Sequence, residues 1–168
     1  MKNHILFTAL IILLTLLGFS SCTKVTEATG GLLGVGQCEV KASVAGTVSA
    51  TYTSNNLTST AAKSGLMLNF NSTTISPVRM FTILLPVKIA TGSYNLKNND
   101  ALGGISFAYV HDNGGTGFAA SSNNDDDFIF VVTKSTATEI EGTFSGNMHN
   151  DDAGTSVKIT NGSFRAKF

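Results

Sequence analysis

An all-β fold is what this sequence predicts: an antiparallel β-sandwich or an up-and-down, lipocalin-like barrel of about eight to ten strands. Three observations carry that expectation. Apolar and polar residues alternate with a period of two in segment after segment from Val40 onward. No stretch after residue 38 keeps a 3.6-residue period for three helical turns. Charged residues make up only 13%, against an abundance of Thr, Ser, Asn and Gly, which suits half-exposed pleated surfaces and turns better than helices.

The first alternation sets Val40, Ala42, Val44, Val48, Ala50 and Tyr52 against Lys41, Ser43, Thr47, Ser49, Thr51 and Thr53. Gly46 falls on the apolar parity, which predicts a bulge or a close approach of two backbones. Leu66, Leu68 and Phe70 resume the pattern after a polar loop. In "RMFTILLPVKI", Phe81, Ile83, Leu85, Val87 and Ile89 share a face. Pro86 cannot donate to a ladder, so that strand is predicted to lie at an edge or to bulge there. Short strands follow in "GSYNL", "ISFAYVH", "GFAAS" and "DFIFVVTK", each bounded by Gly, Asn or Asp. "TEIEGTFSGNM" then sets Ile140, Phe144 and Met148 against Glu139, Glu141, Thr143 and Ser145. The end, "SVKITNGSFRAKF", reads as a hairpin. Asn161-Gly162 supplies the positive φ angles of a type I′ turn, pairing Ile159 with Phe164 and Val157 with Ala166 on one face. That register sets Lys158 opposite Arg165, a like-charge contact outweighed by the burial of Phe164 and Phe168.

The N-terminus obeys different rules. Ile5 to Phe19 is an uncharged apolar run, preceded by Lys2 and His4 and followed by Ser20 and Ser21. A basic start, an apolar centre and small residues form the order of a secretory signal. A bilayer span needs about 20 apolar residues, and this run is shorter. Residues 1–21 are therefore expected to be a cleaved signal peptide. Leu17-Gly18-Phe19-Ser20-Ser21-Cys22 looks like the lipobox of bacterial lipoproteins, with Phe19 where Leu is usual. On that likeness Cys22 is the lipidation site: its thiolate takes a diacylglyceryl group and becomes the first residue of the mature chain. Each buried CH₂ contributes roughly 0.8 kcal/mol, so two or three acyl chains hold a protein on a bilayer without a spanning helix. Residues 22–37, "CTKVTEATGGLLGVGQ", read as a lipidated flexible tether, and 38–168 as a single β domain.

Without residues 1–21 the chain carries ten Lys and Arg against eleven Asp and Glu, spread singly, with no basic run to follow a phosphate backbone. Nucleic acid is not an expected partner. With Cys22 acylated, Cys38 is the remaining cysteine, and its place beside a strand reads as a small buried hydrophobe.

Three polar loops hold the possible ligands: "HDNGGTG" from His111, "NNDDD" from Asn123 and "HNDDAG" from His149. Asp125, Asp126, Asp127, Asp151 and Asp152 carry the hard oxygens Ca²⁺ takes, but at no known calcium-loop spacing, and hairpin loops use Asp and Asn for their turns anyway. His111 and His149 lack a third zinc ligand at a diagnostic spacing. Glu139 and Glu141 form a two-apart carboxylate pair of the kind a sugar hydrolase uses, and equally a solvated strand face. The sequence contains no nucleophile elbow, P-loop, zincin or dinucleotide motif. No catalytic residue and no cofactor are expected.

The stretch "EIEGTFSGNMHNDDAGTSVKITNGSFRAKF", with "TGSY" at Thr91 to Tyr94, resembles a broad group of uncharacterised Bacteroidota lipoproteins. In that group a "GTF" strand leads through a polar loop to a closing "ITNGxF" hairpin. The resemblance implies an exported β domain and brings no known catalytic residue. Some surface-exported lipoproteins of that phylum carry an acidic cluster behind the lipidated cysteine; here Glu27 stands beside Lys24 without such a cluster. The expected location is the cell envelope, at the outer membrane and on its periplasmic face. The expected role is a non-catalytic anchored module that binds or scaffolds an unidentified protein or small molecule. The alternatives are a lipocalin-like carrier, with Phe70, Phe81, Phe107, Phe118, Phe128, Phe130 and Phe144 around an apolar cavity, and a glycan-acting or other hydrolase.

Overall fold

The computed structural model describes residues 33–97, 104–112, 115–121 and 127–168. The described residues form eleven strands and no helix. In chain order these are β1 (Cys38–Gly46), β2 (Ala50–Thr53), β3 (Thr60–Ser64), β4 (Met67–Thr73), β5 (Met80–Pro86) and β6 (Gly92–Asn95). After them come β7 (Ser106–Val110), β8 (Gly117–Ser121), β9 (Phe128–Ser135), β10 (Glu139–Asn150) and β11 (Thr155–Lys167). The all-β reading holds.

Every pairing is antiparallel, in the order β2-β1-β11-β10-β8-β7-β5-β4-β3, with β9 and then β6 branching from β10. The branch arises because β10 is long. Its first half, Ile140 to Gly146, pairs with β9, and His149 further on pairs with Ala119 of β8. The sheet curls into a half-barrel, bringing the β3 edge back to the chain just ahead of β1. Gln37 bridges Thr60 there, and the Gly36 carbonyl accepts the Ala61 N–H at 2.8 Å. Residues 33–37, read from the sequence as tether, therefore belong to the body, and Leu33 is buried.

Alternation explains the interior. Phe81, Ile83 and Leu85 of β5, Phe107 and Tyr109 of β7, and Phe128, Phe130 and Val132 of β9 all point inward. Rings from opposite walls meet directly: Phe70 with Phe164 at 6.0 Å between centroids, Phe81 with Phe144 at 5.6 Å, and Phe107 with Phe128 at 4.8 Å. Offset and tilted ring pairs at these separations stabilise by about 1 kcal/mol beyond area burial. The Tyr52 hydroxyl is paired with the Ser72 hydroxyl at 2.8 Å, which satisfies its polar tip inside the core.

Three expectations are corrected. First, "SVKITNGSFRAKF" is no hairpin: from Ser156 to Lys167 it lies within the continuous strand β11. Asn161 takes a left-handed φ of 52° and makes a bulge, at which β10 shifts register between Phe144 and Gly146 and β1 between Lys41 and Ser43. Val157 and Ile159 occupy odd positions, Phe164 and Ala166 even ones, yet all four are buried. A one-residue bulge reverses parity just as a two-residue turn does. Ile159 pairs with Val44 and Gly146, Phe164 with Val40 and Gly142, and Lys158 faces Ala45 rather than Arg165. The hairpin is formed by β10 and β11, through a turn where Asn150 Oδ1 accepts the Ala153 N–H and Gly154 has a φ of 63°. Second, β5 is interior, between β4 and β7. Pro86 is its last residue, paired only with Met67 of β4, beyond the Met80–Leu84 stretch that β7 covers. Its missing N–H thus costs no ladder bond on the β7 side. Third, Val40 to Tyr52 is two strands, β1 and β2, folded about residues 47–49. The close approach expected at Gly46 is present: φ is 127°, and a Cβ would stand 2.9 Å from the Ser156 carbonyl oxygen.

Candidate functional site

The predicted ligand residues do not gather. Cys22, Asp125 and Asp126 lie outside the described residues. Asp127 precedes β9, exposed, with Lys97 Nζ 3.5 Å from its carboxylate, while its carbonyl accepts the Asn147 N–H. Asp151 and Asp152 are exposed in the β10–β11 turn. Among the described residues no three His, Cys, Asp or Glu side chains converge as metal ligands would. Asp151 and Asp152 sit where a turn needs short polar side chains.

The β7–β8 and β10–β11 hairpins do stand side by side. Between them is an open hollow of about 480 Å³, lined by Tyr109, Phe118, His149, Asn150, Asp151 and Asp152. At the end of β7, His111 Nδ1 is 2.8 Å from the Tyr109 hydroxyl, which gives that buried ring a polar partner at the rim.

A second depression, about 330 Å³, lies on the outer face of β9, β10 and β11. Ile129, Val131, Thr143, Ser145 and Ser163 wall it, and Phe144 is reached at its floor. Gly162 of the β11 bulge lines it too, and a Cβ there would lie 2.4 Å from the Phe144 carbonyl oxygen and 2.6 Å from its ring. The sequence signal was the odd spacing between Ile159 and Phe164, which a turn explains equally well.

Along the same outer face, charges alternate from strand to strand. Lys134 of β9 is opposite Glu141 of β10, Glu141 opposite Arg165 of β11, and Arg165 opposite Glu39 of β1. Arg165 reaches Glu39 at 2.9 Å and Lys41 reaches it at 2.5 Å; Lys134 and Lys167 both engage Glu139. Burial by itself would raise the Glu39 carboxyl, but its contacts with Lys41 and Arg165 win and hold it below the ordinary carboxylate range. The Glu139 carboxyl is lowered as well, by hydrogen bonds from Lys134 and Lys167. A glycosidase acid needs a raised carboxyl, whereas the Glu139 carboxyl is held down.

Cys38 is buried, and its thiol donates to the Thr60 carbonyl at 3.2 Å. Burial pushes it up to about 12, leaving almost no thiolate at neutral pH. It packs as a hydrophobe.

The rings expected around a carrier's cavity are spent on one another. Phe107 alone meets Phe128, Phe130 and Phe144 within 5.5 Å between centroids, and Phe118 stacks on Tyr109. Compared with family models, curated proteins and solved structures, the chain matches none.

Proposed function

We propose that this protein is a non-catalytic, membrane-anchored envelope lipoprotein, held through acylated Cys22 at the periplasmic face of the outer membrane. Its β body is a binding or scaffold module for a protein or small-molecule partner. The observation that carries the reading is the order of Lys2, the apolar run from Ile5 to Phe19, Ser20-Ser21 and Cys22. A body whose rings pack on one another, with its open depressions outside, supports recognition at the surface over storage inside. A lipocalin-like carrier would need interior room that Phe81, Phe107 and Phe144 occupy together. A glycan-acting hydrolase would need a carboxyl poised to give a proton, whereas Glu139 is paired with two lysines.

Metabolic labelling with an alkyne-tagged fatty acid tests the anchor. The native chain takes the label, and Cys22→Ala loses it. A Cys22→Ala protein that is labelled as well as the native one defeats the proposal.

A further inference from the structure

We propose that the rim where the N-terminal segment joins the body rests on the lipid surface, with Val35 and Leu66 set among the headgroups and Lys88 beside their phosphates. The inference rests on the reading of Cys22 as acylated.

Several stretches are tied together at this rim. The Gly36 N–H donates to the Lys167 carbonyl at 2.9 Å, Phe168 N–H to the Thr138 carbonyl at 2.9 Å, and Val87 N–H to the Leu66 carbonyl at 2.8 Å. Lys63 Nζ donates to the Ala137 carbonyl. The antiparallel bridge between Gln37 and Thr60 sets Val35 alongside Ala62, a few residues along β3 from the turn at Leu66. Val35 is 82% and Leu66 83% exposed, values at which an aliphatic side chain contributes nothing to the body's own core. Lys88, next to Val87, is exposed on the same rim. Glu39 and Glu139, on strands that start from this rim, are both engaged by cations and present little free negative charge. Aliphatic tips beside a lysine fit the boundary between acyl chains and anionic headgroups, where the lysine stem lies along apolar surface and its ammonium reaches phosphate.

The opposite rim is apolar too: Leu57 is 79% exposed in the loop after β2, which the Asn55 N–H ties to the Thr73 carbonyl, and Ile75 is 65% exposed in the loop after β4, while Leu66 precedes that strand. Chain length separates the two. Cys22 to Leu33 is eleven residues, with a reach of at most about 40 Å. β1 climbs from Gln37 to Gly46, roughly 30 Å at about 3.3 Å per residue. An anchored Cys22 presents the near rim with most of its reach unused. Presenting Ile75 takes nearly all of it, laid along the body. Confined this close to the bilayer, even two aliphatic tips meet lipid at high effective concentration.

The chain contains no tryptophan, so a single introduced one is an unambiguous reporter. The full-length protein, matured in its host, is placed in phosphatidylethanolamine–phosphatidylglycerol vesicles with brominated acyl chains, and its intact mass is measured on the same sample. Leu66→Trp is expected to shift to the blue and lose roughly half its emission to bromine, and Val35→Trp to do the same, while Ile75→Trp keeps its emission. Acylated protein in which both rim reporters are unquenched, or in which Ile75→Trp is quenched as strongly, overturns the inference and leaves the anchor standing. An unacylated Cys22 in the mass spectrum removes the anchor and the inference together.

Discussion

Gly162 and Glu39 carry two different kinds of constraint. At Gly162 the constraint is steric, because the Phe144 carbonyl and ring occupy the space a side chain needs. Gly162→Ala is expected to cost about 2–4 kcal/mol in urea unfolding, since the obstacle is backbone and a buried ring rather than a flexible tip. Gly154, with a φ of 63° but open space around its Cα, is the control: alanine there should cost only about 1 kcal/mol. At Glu39 the constraint is electrostatic. Its carboxyl lies below the ordinary 4.5 in the folded protein, so its stabilising contribution is complete above that pH and is lost as the pH falls through the lowered folded value. Glu39→Gln should therefore lower stability by about 1 kcal/mol at pH 7 and flatten the acid limb of the stability profile. An unchanged acid limb in the variant would mean that other carboxylates dominate acid unfolding.

At the scale of elements, β11 is the decisive case. If it is one bulged strand, amide and Hα contacts in NMR spectra connect Val40 with Phe164 and Val44 with Ile159 across β1, while Ile159 and Phe164 do not face each other as hairpin partners. Deleting Asn161 removes the bulge, puts either Ile159 or Phe164 on the solvent side, and should abolish folding. Finding Ile159 opposite Phe164 would restore the hairpin. Alternation was legible in the sequence because each inward position, from Phe81 to Ala166, reports its own side of the sheet. The device that switches parity was not legible, because a turn and a bulge produce the same odd spacing. The place of β5 was hidden for a related reason: Pro86 shows that a ladder bond is missing, but not whether the strand lacks a neighbour or merely outruns it.

For the whole molecule, what holds the half-barrel together is pairing between segments distant in the chain. Gln37 with Thr60, β1 with β11, and the ring contacts of Phe70 with Phe164 join the ends of the sequence through its middle. No local pattern announces these partners, so the strands could be read while their order could not. The surface features share that origin. The depression over Phe144 and the charge ladder from Lys134 to Glu39 exist only once β9, β10, β11 and β1 lie side by side. The N-terminal signal is the opposite case, since its meaning lies in the linear order of a few residues and needs no fold to be read.

Whether the protein is an anchored body with no cargo inside it is read from the intact mass of the protein gently extracted from its own envelope. The expected mass is that of a chain beginning at Cys22, heavier than residues 22–168 by a diacylglyceryl group and an acyl chain, with no further noncovalently bound mass. A chain that keeps Met1, or one that leaves the envelope with a small apolar molecule inside, would contradict it.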